Sequence, residues 1–447
     1  MSASVRKAPG YLKRAVMYQI FLRPFTPGGT LNSAAEMLPH LASLGVDILY
    51  LCPVTEADGD MRPEFWSARQ KACGLGNPKN PYRVGDYYRI DPEYGTDADL
   101  KRFTAYAHEL GMRVILDLVY YHCGPGAVFI PDHPDFVKRE ADGSVRNGRW
   151  HFPELNFDSP TLREYLLANM EYFIREFDVD GYRCDVADAV PIDFWEEGRR
   201  RIEALKPDVM MLAESTEPAD QIYAFDLNYS FSWGHLYEAF AGKEPVAKIP
   251  EVWKEYQERL LPGARAIRAT ENHDIANDRE RPDKTIGVKA HDAMFAVNFG
   301  LDGVPFLYNG QEIADTALHS IWGNRFYGRD RLIDWSRAMT PEGKARFALL
   351  RKLIELRHVQ PALSEGSVTW LSHDRRDAVL AFSRNCPAQD LIVAVNCRSV
   401  PLSVRINIDI TRVSSPEILL ARGAELSRDG GMLKADLLPY GFLIAQY

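Results

Sequence analysis

Cysteine is scarce and scattered in this chain: Cys52, Cys73, Cys123, Cys184, Cys386 and Cys397 are the only six in 447 residues, and no two form a C-x-x-C pair. That spacing excludes a small disulfide scaffold and the common zinc modules. Cys52 and Cys184 fall inside apolar runs and read as small buried hydrophobes. No apolar run approaches the ~20 residues that a bilayer span needs. The N-terminal "MSASVRKAPGYLKRAVMYQIF" has neither the apolar stretch nor the small-residue cleavage site of a secretory leader, so reduced thiols and a cytoplasmic location are expected. Long blocks of one charge sign are missing as well. A net charge of −9 without a basic stripe excludes a nucleic-acid footprint and leaves a neutral substrate open. A Gly-rich phosphate turn is also missing after the first strand-like run, where "FLRPFTPGGT" stands instead, which disfavours a doubly wound dinucleotide fold.

Apolar residues are plentiful, at 46% of the chain against 26% charged. This suffices for ordinary globular cores, and the length suggests two or three domains. Near-continuous apolar runs at Val16–Phe21, Val46–Leu51, Met112–Leu118, Val179–Cys184, Val209–Ala213, Ile222–Phe225, Ala266–Thr270 and Val304–Tyr308 predict strands of a parallel sheet covered on both faces. Helical spacing lies between them. Leu100, Phe103, Ala107 and Leu110 share a face, with Thr96 as N-cap and Gly111 just past the end. Leu162, Leu166, Met170, Phe173 and Phe177 repeat the pattern. Eight strands alternating with helices predict an α/β fold, a (β/α)₈ barrel, over residues 1–122 and 159–363. Residues 123–158, rich in Gly, Pro and charge, predict a short inserted subdomain after strand three. Short β-rich segments broken by turns predict a C-terminal antiparallel β-sandwich domain over 364–447.

In such a barrel the residues just past each strand collect at one mouth, where catalytic groups sit. Asp117, Asp185, Glu214 and Asp274 follow the third, fourth, fifth and seventh predicted strands. Arg183 lies two residues before Asp185, on the same face of its strand, and is expected to hold that carboxylate ionised. Glu214 follows the apolar "VMMLA", whose desolvation raises a carboxyl pKa toward that of a general acid. One ionised and one protonated carboxyl suit retaining glycoside hydrolysis, with His122 and His273 as donors for sugar hydroxyls. A single Asp at a strand end is more often a turn or cap residue. Four strand ends carrying carboxylates, with His and Arg beside them, exceed what capping explains.

The ordered motifs resemble the α-amylase family of retaining glycoside hydrolases along nearly the whole chain. "YQIFLRPFTPGGTL" is similar to that family's first strand, "NPYRVGDYYRIDPEYGTDADL" to its loop before strand three, and "DLVYYH" to its first signature region. "DGYRCDVAD" resembles the nucleophile region, "LAES" the acid/base region, "ENHD" the third-carboxylate region and "GVPFLYNGQE" the eighth-strand region, while "FPELN" resembles a short motif of the inserted subdomain. The resemblance implies Asp185 as nucleophile, Glu214 as general acid/base and Asp274 as the carboxylate that grips substrate hydroxyls. It also implies Arg183, His122, His273 and Asp117 around the reacting sugar, with Tyr82 stacked beneath it.

Three positions depart from the pattern. Tyr121 stands where many α-amylases have a calcium-binding Asn, and a phenol is a poor Ca²⁺ ligand, so no metal and no cofactor is expected. Asp188 and Ala189 replace a Lys-His pair that contacts sugars beyond the scissile bond. "DVADAV" is closer to the cyclomaltodextrinase and neopullulanase subgroup, without its N-terminal domain. Among loop aromatics, Trp66, Trp150, Trp233, Trp322 and Phe326 are mostly packing residues by base expectation, with one or two serving as sugar platforms. The run "GNRFYGRDR" reads as a solvated ion-pair cluster from which Arg325 or Arg329 reaches sugar. The expected activity is hydrolysis of maltodextrin-type oligosaccharides. A transglycosylase or isomerase using the same intermediate, an enzyme selective for α-1,6 or other α-glucosides, and a non-catalytic carbohydrate-binding homologue are the alternatives. Oligomeric state is not legible.

Overall fold

The computed structural model describes residues 4–277, 279–408 and 416–447; the remaining residues of the expected domains lie outside it. Eight parallel strands form the central sheet: β1 (Met17–Ile20), β2 (Ile48–Leu51), β3 (Arg113–Leu118), β4 (Gly181–Cys184), β5 (Met210–Ala213), β6 (Leu227–Asn228), β7 (Ile267–Ala269) and β8 (Val304–Tyr308). Their spatial order is β6-β5-β4-β3-β2-β1-β8-β7, and a parallel bridge from Asn228 to Ala266 joins the two ends. The predicted barrel is therefore present and closed. Burial on both faces explains the unbroken apolar runs that revealed most of its strands.

One strand is corrected. Ile222–Phe225 is not strand six, because a helical turn occupies Asp220–Tyr223 and the strand lies at Leu227–Asn228. The polar neighbours of that short strand are buried and fully engaged. Asp226 Oδ2 accepts from the Met211 N–H (2.9 Å) and from Arg199 (2.6 Å), and Asn228 Oδ1 accepts from Gln221 (3.0 Å). A search for apolar runs passes over a strand built this way.

The helix Asp97–Glu109 starts at Thr96, which forms a reciprocal capping box with Asp99, as the sequence predicts. The helix Pro160–Phe177 buries all five apolar residues of its predicted stripe. Between β2 and β3 the chain forms a two-stranded antiparallel unit, Thr55–Ala57 with Val84–Ile90, and the intervening segment carries a short helix, Ala68–Ala72. Residues 123–158 hold only 3₁₀ turns and isolated bridges, including His122–Glu154 and Asn147–Pro153.

The C-terminal strands are β9 (Ser367–Trp370), β10 (Val379–Cys386), β11 (Gln389–Asn396), β12 (Leu402–Ile406), β13 (Glu417–Asp429) and β14 (Met432–Gln446). They make one antiparallel sheet in the order β9-β10-β11-β14-β12, with β13 also on β14. Ala381, Ile392 and Leu443 share a small core with Val404, Ile406 and Leu433. The helix Val288–Gly300 is buried along nearly its whole length. Gly300 approaches Phe382 and Val393 of the C-terminal sheet, so this helix is covered by the barrel on one side and that sheet on the other.

Candidate active site

Position along each strand decides what reaches the mouth. Asp117 lies within β3, and Asp185, Glu214 and Asp274 follow β4, β5 and β7. Asp185, Glu214 and Asp274 line one cavity of about 420 Å³ with Tyr82, His122 and His273. Arg183 and Asp117 lie beneath them, both buried. All eight residues singled out in the sequence are therefore brought together.

Arg183 is the hub, and its role differs from the expectation. Its Nη1 donates to Asp117 (Oδ1 2.7 Å, Oδ2 2.9 Å) and to Asp185 Oδ1 (2.8 Å). Its Nη2 lies 2.8 Å from Glu214 Oε2. One guanidinium thus faces three carboxyl groups in a water-poor site. Burial pushes Asp185 well above the usual carboxylate range, and the charges of Glu214 and Asp117 add to that against the opposing pull of Arg183. Glu214 is pushed up as well, by burial first and by the charge of Asp274, again against Arg183. The idea that Arg183 simply holds Asp185 ionised is corrected: its charge is divided, so Asp185 and Glu214 titrate as a linked pair.

Glu214 has a second anchor, the Val186 N–H at 2.9 Å. Val186 sits at φ 43°, ψ 47°, a left-handed conformation that a β-branched residue adopts only under strain. In this conformation the amide next to Asp185 faces Glu214.

Sequence reading passed over two residues that hold this floor. Gln19 of β1 donates from Nε2 to His273 Nδ1 (2.7 Å) and accepts the His273 backbone N–H (3.1 Å). Nδ1 is then an acceptor, and the proton of the neutral ring sits on Nε2, 3.3 Å from Asp274 Oδ2. Burial keeps this ring neutral by lowering its pKa. Tyr50 of β2 donates to Asp117 Oδ2 (2.5 Å), as does Tyr82 (3.0 Å). Tyr82 also stacks on His273, with ring centroids 5.1 Å apart and planes 10° from parallel. The sequence signal was present in each case, a polar atom inside an otherwise apolar strand.

His122 differs from its expected role as a donor. Its Nε2–H donates to the Tyr82 carbonyl (2.7 Å), Nδ1 is buried with no partner among the described residues, and burial lowers its pKa to about 4. It therefore offers an acceptor. For Asp274, burial pushes the pKa up, but His273 and Arg69 outweigh it and hold the carboxyl below its usual range.

Of the loop aromatics, Trp150 and Trp322 line the cavity. Trp150 is 42% exposed and Trp322 is buried. Trp233 is buried with its Nε1–H on Asn298 (2.7 Å), which makes it a core residue. Arg325 donates to the carbonyls of Gly28 and Glu93, so it ties loops together rather than forming a solvated ion-pair cluster.

Tyr121 donates to Glu154 Oε1 (2.6 Å), whose Oε2 faces Lys138 (3.3 Å) and Arg146 (3.6 Å). Two cationic side chains around one carboxylate and a phenol do not fit a divalent cation.

The sequence model described as "Alpha amylase, catalytic domain" matches residues 10–136 and 145–348, nearly three quarters of the chain. The protein belongs to the α-amylase family. It is a glycoside hydrolase of that family. A cyclomaltodextrinase from Geobacillus thermopakistaniensis is 27% identical over 98% of this chain and 78% of its own length. An intracellular maltogenic amylase of Bacillus subtilis is 27% identical over 91% and 73%. In fold it is similar to a noncanonic maltogenic α-amylase from Thermotoga neapolitana, with a TM-score of 0.82 at 24% identity over 97% of this chain and 99% of that one. Among the described residues no helix is long and apolar enough to cross a membrane.

Proposed function

We propose that this family member is a cytoplasmic, retaining α-glucosidic hydrolase acting on maltodextrin-type oligosaccharides through a covalent glycosyl-enzyme intermediate. The convergence of Asp185, Glu214 and Asp274 on one cavity above a single guanidinium carries the reading. The names of its relatives, cyclomaltodextrinase and intracellular maltogenic amylase, support the substrate class and the compartment.

In the first step Asp185 attacks the anomeric carbon while Glu214 gives its proton to the departing glycosidic oxygen. The shared guanidinium suits this pairing, because it supports one negative carboxyl in the pair and leaves one proton on the other. In the second step Glu214, now a carboxylate, takes a proton from water. That water attacks the anomeric carbon and the bond to Asp185 breaks, so the configuration is retained. Asp274, held ionised, accepts from ring hydroxyls, and Tyr82 packs beneath the sugar. Maltotriose incubation followed by proton NMR tests the reading. The α-anomer is expected first, with maltose and glucose as products. Immediate β-anomer would refute retention, and early oligosaccharides longer than maltotriose would show transfer to sugar instead of water.

Glu214→Gln is expected to lower kcat on maltotriose by roughly 10²–10⁴-fold. The loss should be much smaller on α-glucosyl fluoride, whose leaving group needs little protonation. Steady-state rates on both substrates check this, and equal losses would remove Glu214 from the acid role.

We also propose that the cations around Glu154 make a structural calcium unnecessary beside Tyr121. Dialysis of the protein against EDTA is expected to leave its melting temperature and activity unchanged. A fall in either on chelation, restored by Ca²⁺, would overturn this.

A further inference from the structure

Asp274 is the proposed grip on substrate hydroxyls, yet in this structure it is engaged by a residue from a distant loop. Arg69 Nη1 donates to Asp274 Oδ1 (2.8 Å) and Nη2 to the Asp274 carbonyl (3.2 Å). Arg69 lies on the helix Ala68–Ala72 of the segment after β2, whereas Asp274 follows β7. In the barrel order, β1 and β8 stand between these two strands. The ion pair therefore spans the mouth above β1 and β8.

The segment carrying Arg69 is firmly held. Ser67 caps its helix through the Gln70 N–H (3.1 Å), and Gln70 Nε2 donates to the Asn77 carbonyl (2.8 Å). Buried Arg83 donates to the carbonyls of Asp58, Asp60 and Pro78. Asn77 Nδ2 donates to the Trp322 carbonyl in the loop after β8 (2.9 Å). That loop is tied in turn to the one after β7, where Asn277 Oδ1 accepts the Ile321 N–H (2.7 Å). The loops after β2, β8 and β7 thus form one continuous wall, with the Arg69–Asp274 pair at its cavity face. Opposite it, above β3 to β6, the cavity is lined by the exposed Trp150 and Phe231 with Asp188 and Glu217.

The chemistry gives the wall a direction. The acid must touch the departing oxygen, so the leaving group lies on the Glu214 side, after β5. Asp274 touches hydroxyls of the ring that becomes attached to Asp185, so the non-reducing part of the chain points at the wall. We propose that Arg69 is a specificity-determining residue that closes this end of the cleft, so that the enzyme accepts only the non-reducing terminus of an α-glucan. This rests on the hydrolase reading above. Arg69 also places a donor beside the Asp274 acceptor, a pair suited to adjacent hydroxyls of a terminal glucosyl ring. A chain continuing past that ring would have to displace a guanidinium from its carboxylate and part three loops tied together.

The test compares p-nitrophenyl maltoheptaoside with the same compound carrying a 4,6-ethylidene acetal on its non-reducing terminal glucose, with products resolved by chromatography. The wild-type enzyme is expected to cleave the blocked compound at least about tenfold more slowly than the free one, as a built steric exclusion predicts. Arg69→Ala is expected to raise the blocked-to-free rate ratio by about tenfold or more. Asn77→Ala, which frees the segment from Trp322, should move the ratio the same way and serves if the first variant does not fold. Equal wild-type rates on both compounds, or a ratio unchanged in a folded variant, would overturn the assignment of Arg69 while leaving the hydrolase reading intact. Cleavage of neither compound by the wild type would overturn the hydrolase reading, and this inference with it.

Discussion

Replacing Asp185 by Asn is expected to lower kcat on maltotriose by roughly 10⁴-fold or more, while the melting temperature holds or rises. The amide keeps the shape of the side chain, and its oxygen can still accept from Arg183 Nη1, now 2.8 Å from Asp185 Oδ1. What disappears is the nucleophile and one of three carboxyl charges competing for one guanidinium. The sign of the stability change follows from the raised pKa of Asp185. A carboxyl whose folded pKa lies above its unfolded value of about 4 contributes its full stability only below that unfolded value. The contribution is lost as pH rises through the folded value. As pH rises above the unfolded value, keeping or ionising Asp185 in this site therefore costs stability that Asn does not. The advantage of Asp185→Asn in thermal melts should grow from about pH 4 upward and level off above the folded pKa. Turnover within tenfold of wild type would remove Asp185 from the reaction, and a large drop in melting temperature at neutral pH would contradict the divided-guanidinium account.

Arg183→Lys is expected to be destabilising although it keeps the charge, by about 1–3 kcal/mol near neutral pH, because carboxyl acceptors lose their donors. The guanidinium uses a planar fork to reach Asp117, Asp185 and Glu214 at once, and an ammonium is a single point charge on a flexible stem. It also lies between the rings of Tyr50 and Tyr229, 5.9 and 5.6 Å from their centroids, so its charge is partly held by π faces that a lysine would meet differently. Without it Asp185 and Glu214 become harder to ionise. The destabilisation should then be smallest below about pH 3, where Asp185 and Glu214 are protonated in the folded and the unfolded chain alike, and should deepen as pH rises through about 4. The acid limb of the kcat profile should move to higher pH, because Asp185 must be ionised to attack. Melting curves across pH and a pH–rate profile check both statements. A Lys variant with wild-type melting and an unshifted acid limb would contradict them.

Much of this site could be read from the chain itself. A buried parallel strand leaves an apolar run, and the polar residue that ends it stands out, so Asp117, Asp185, Glu214 and Asp274 were visible with the strands that carry them. Strand alternation placed Arg183 on the face of Asp185, and the capping box at Thr96 and the stripe from Leu162 to Phe177 followed the same local logic. Strand six was missed because Asp226 and Asn228 replace apolar burial with hydrogen bonds to Met211, Arg199 and Gln221. Those partners lie elsewhere in the sequence, so no local pattern announces them. Gln19 and Tyr50 stayed hidden for the related reason that one polar atom in a strand has many uses, and only its neighbours in space choose among them.

The sequence by itself determined the barrel, the family resemblance and the set of acids at the strand ends. These depend on periodicity and chain order, which are local properties of the polypeptide. The tertiary structure decided how charge is shared and where the cleft ends. Arg183 serves three carboxyls because β3, β4 and β5 are neighbours in the closed sheet. Arg69 meets Asp274 although 205 positions separate them. Electrostatic coupling falls with distance through space rather than along the chain, so the protonation of the acids and the shape of the cleft exist only once the loops have closed over the barrel.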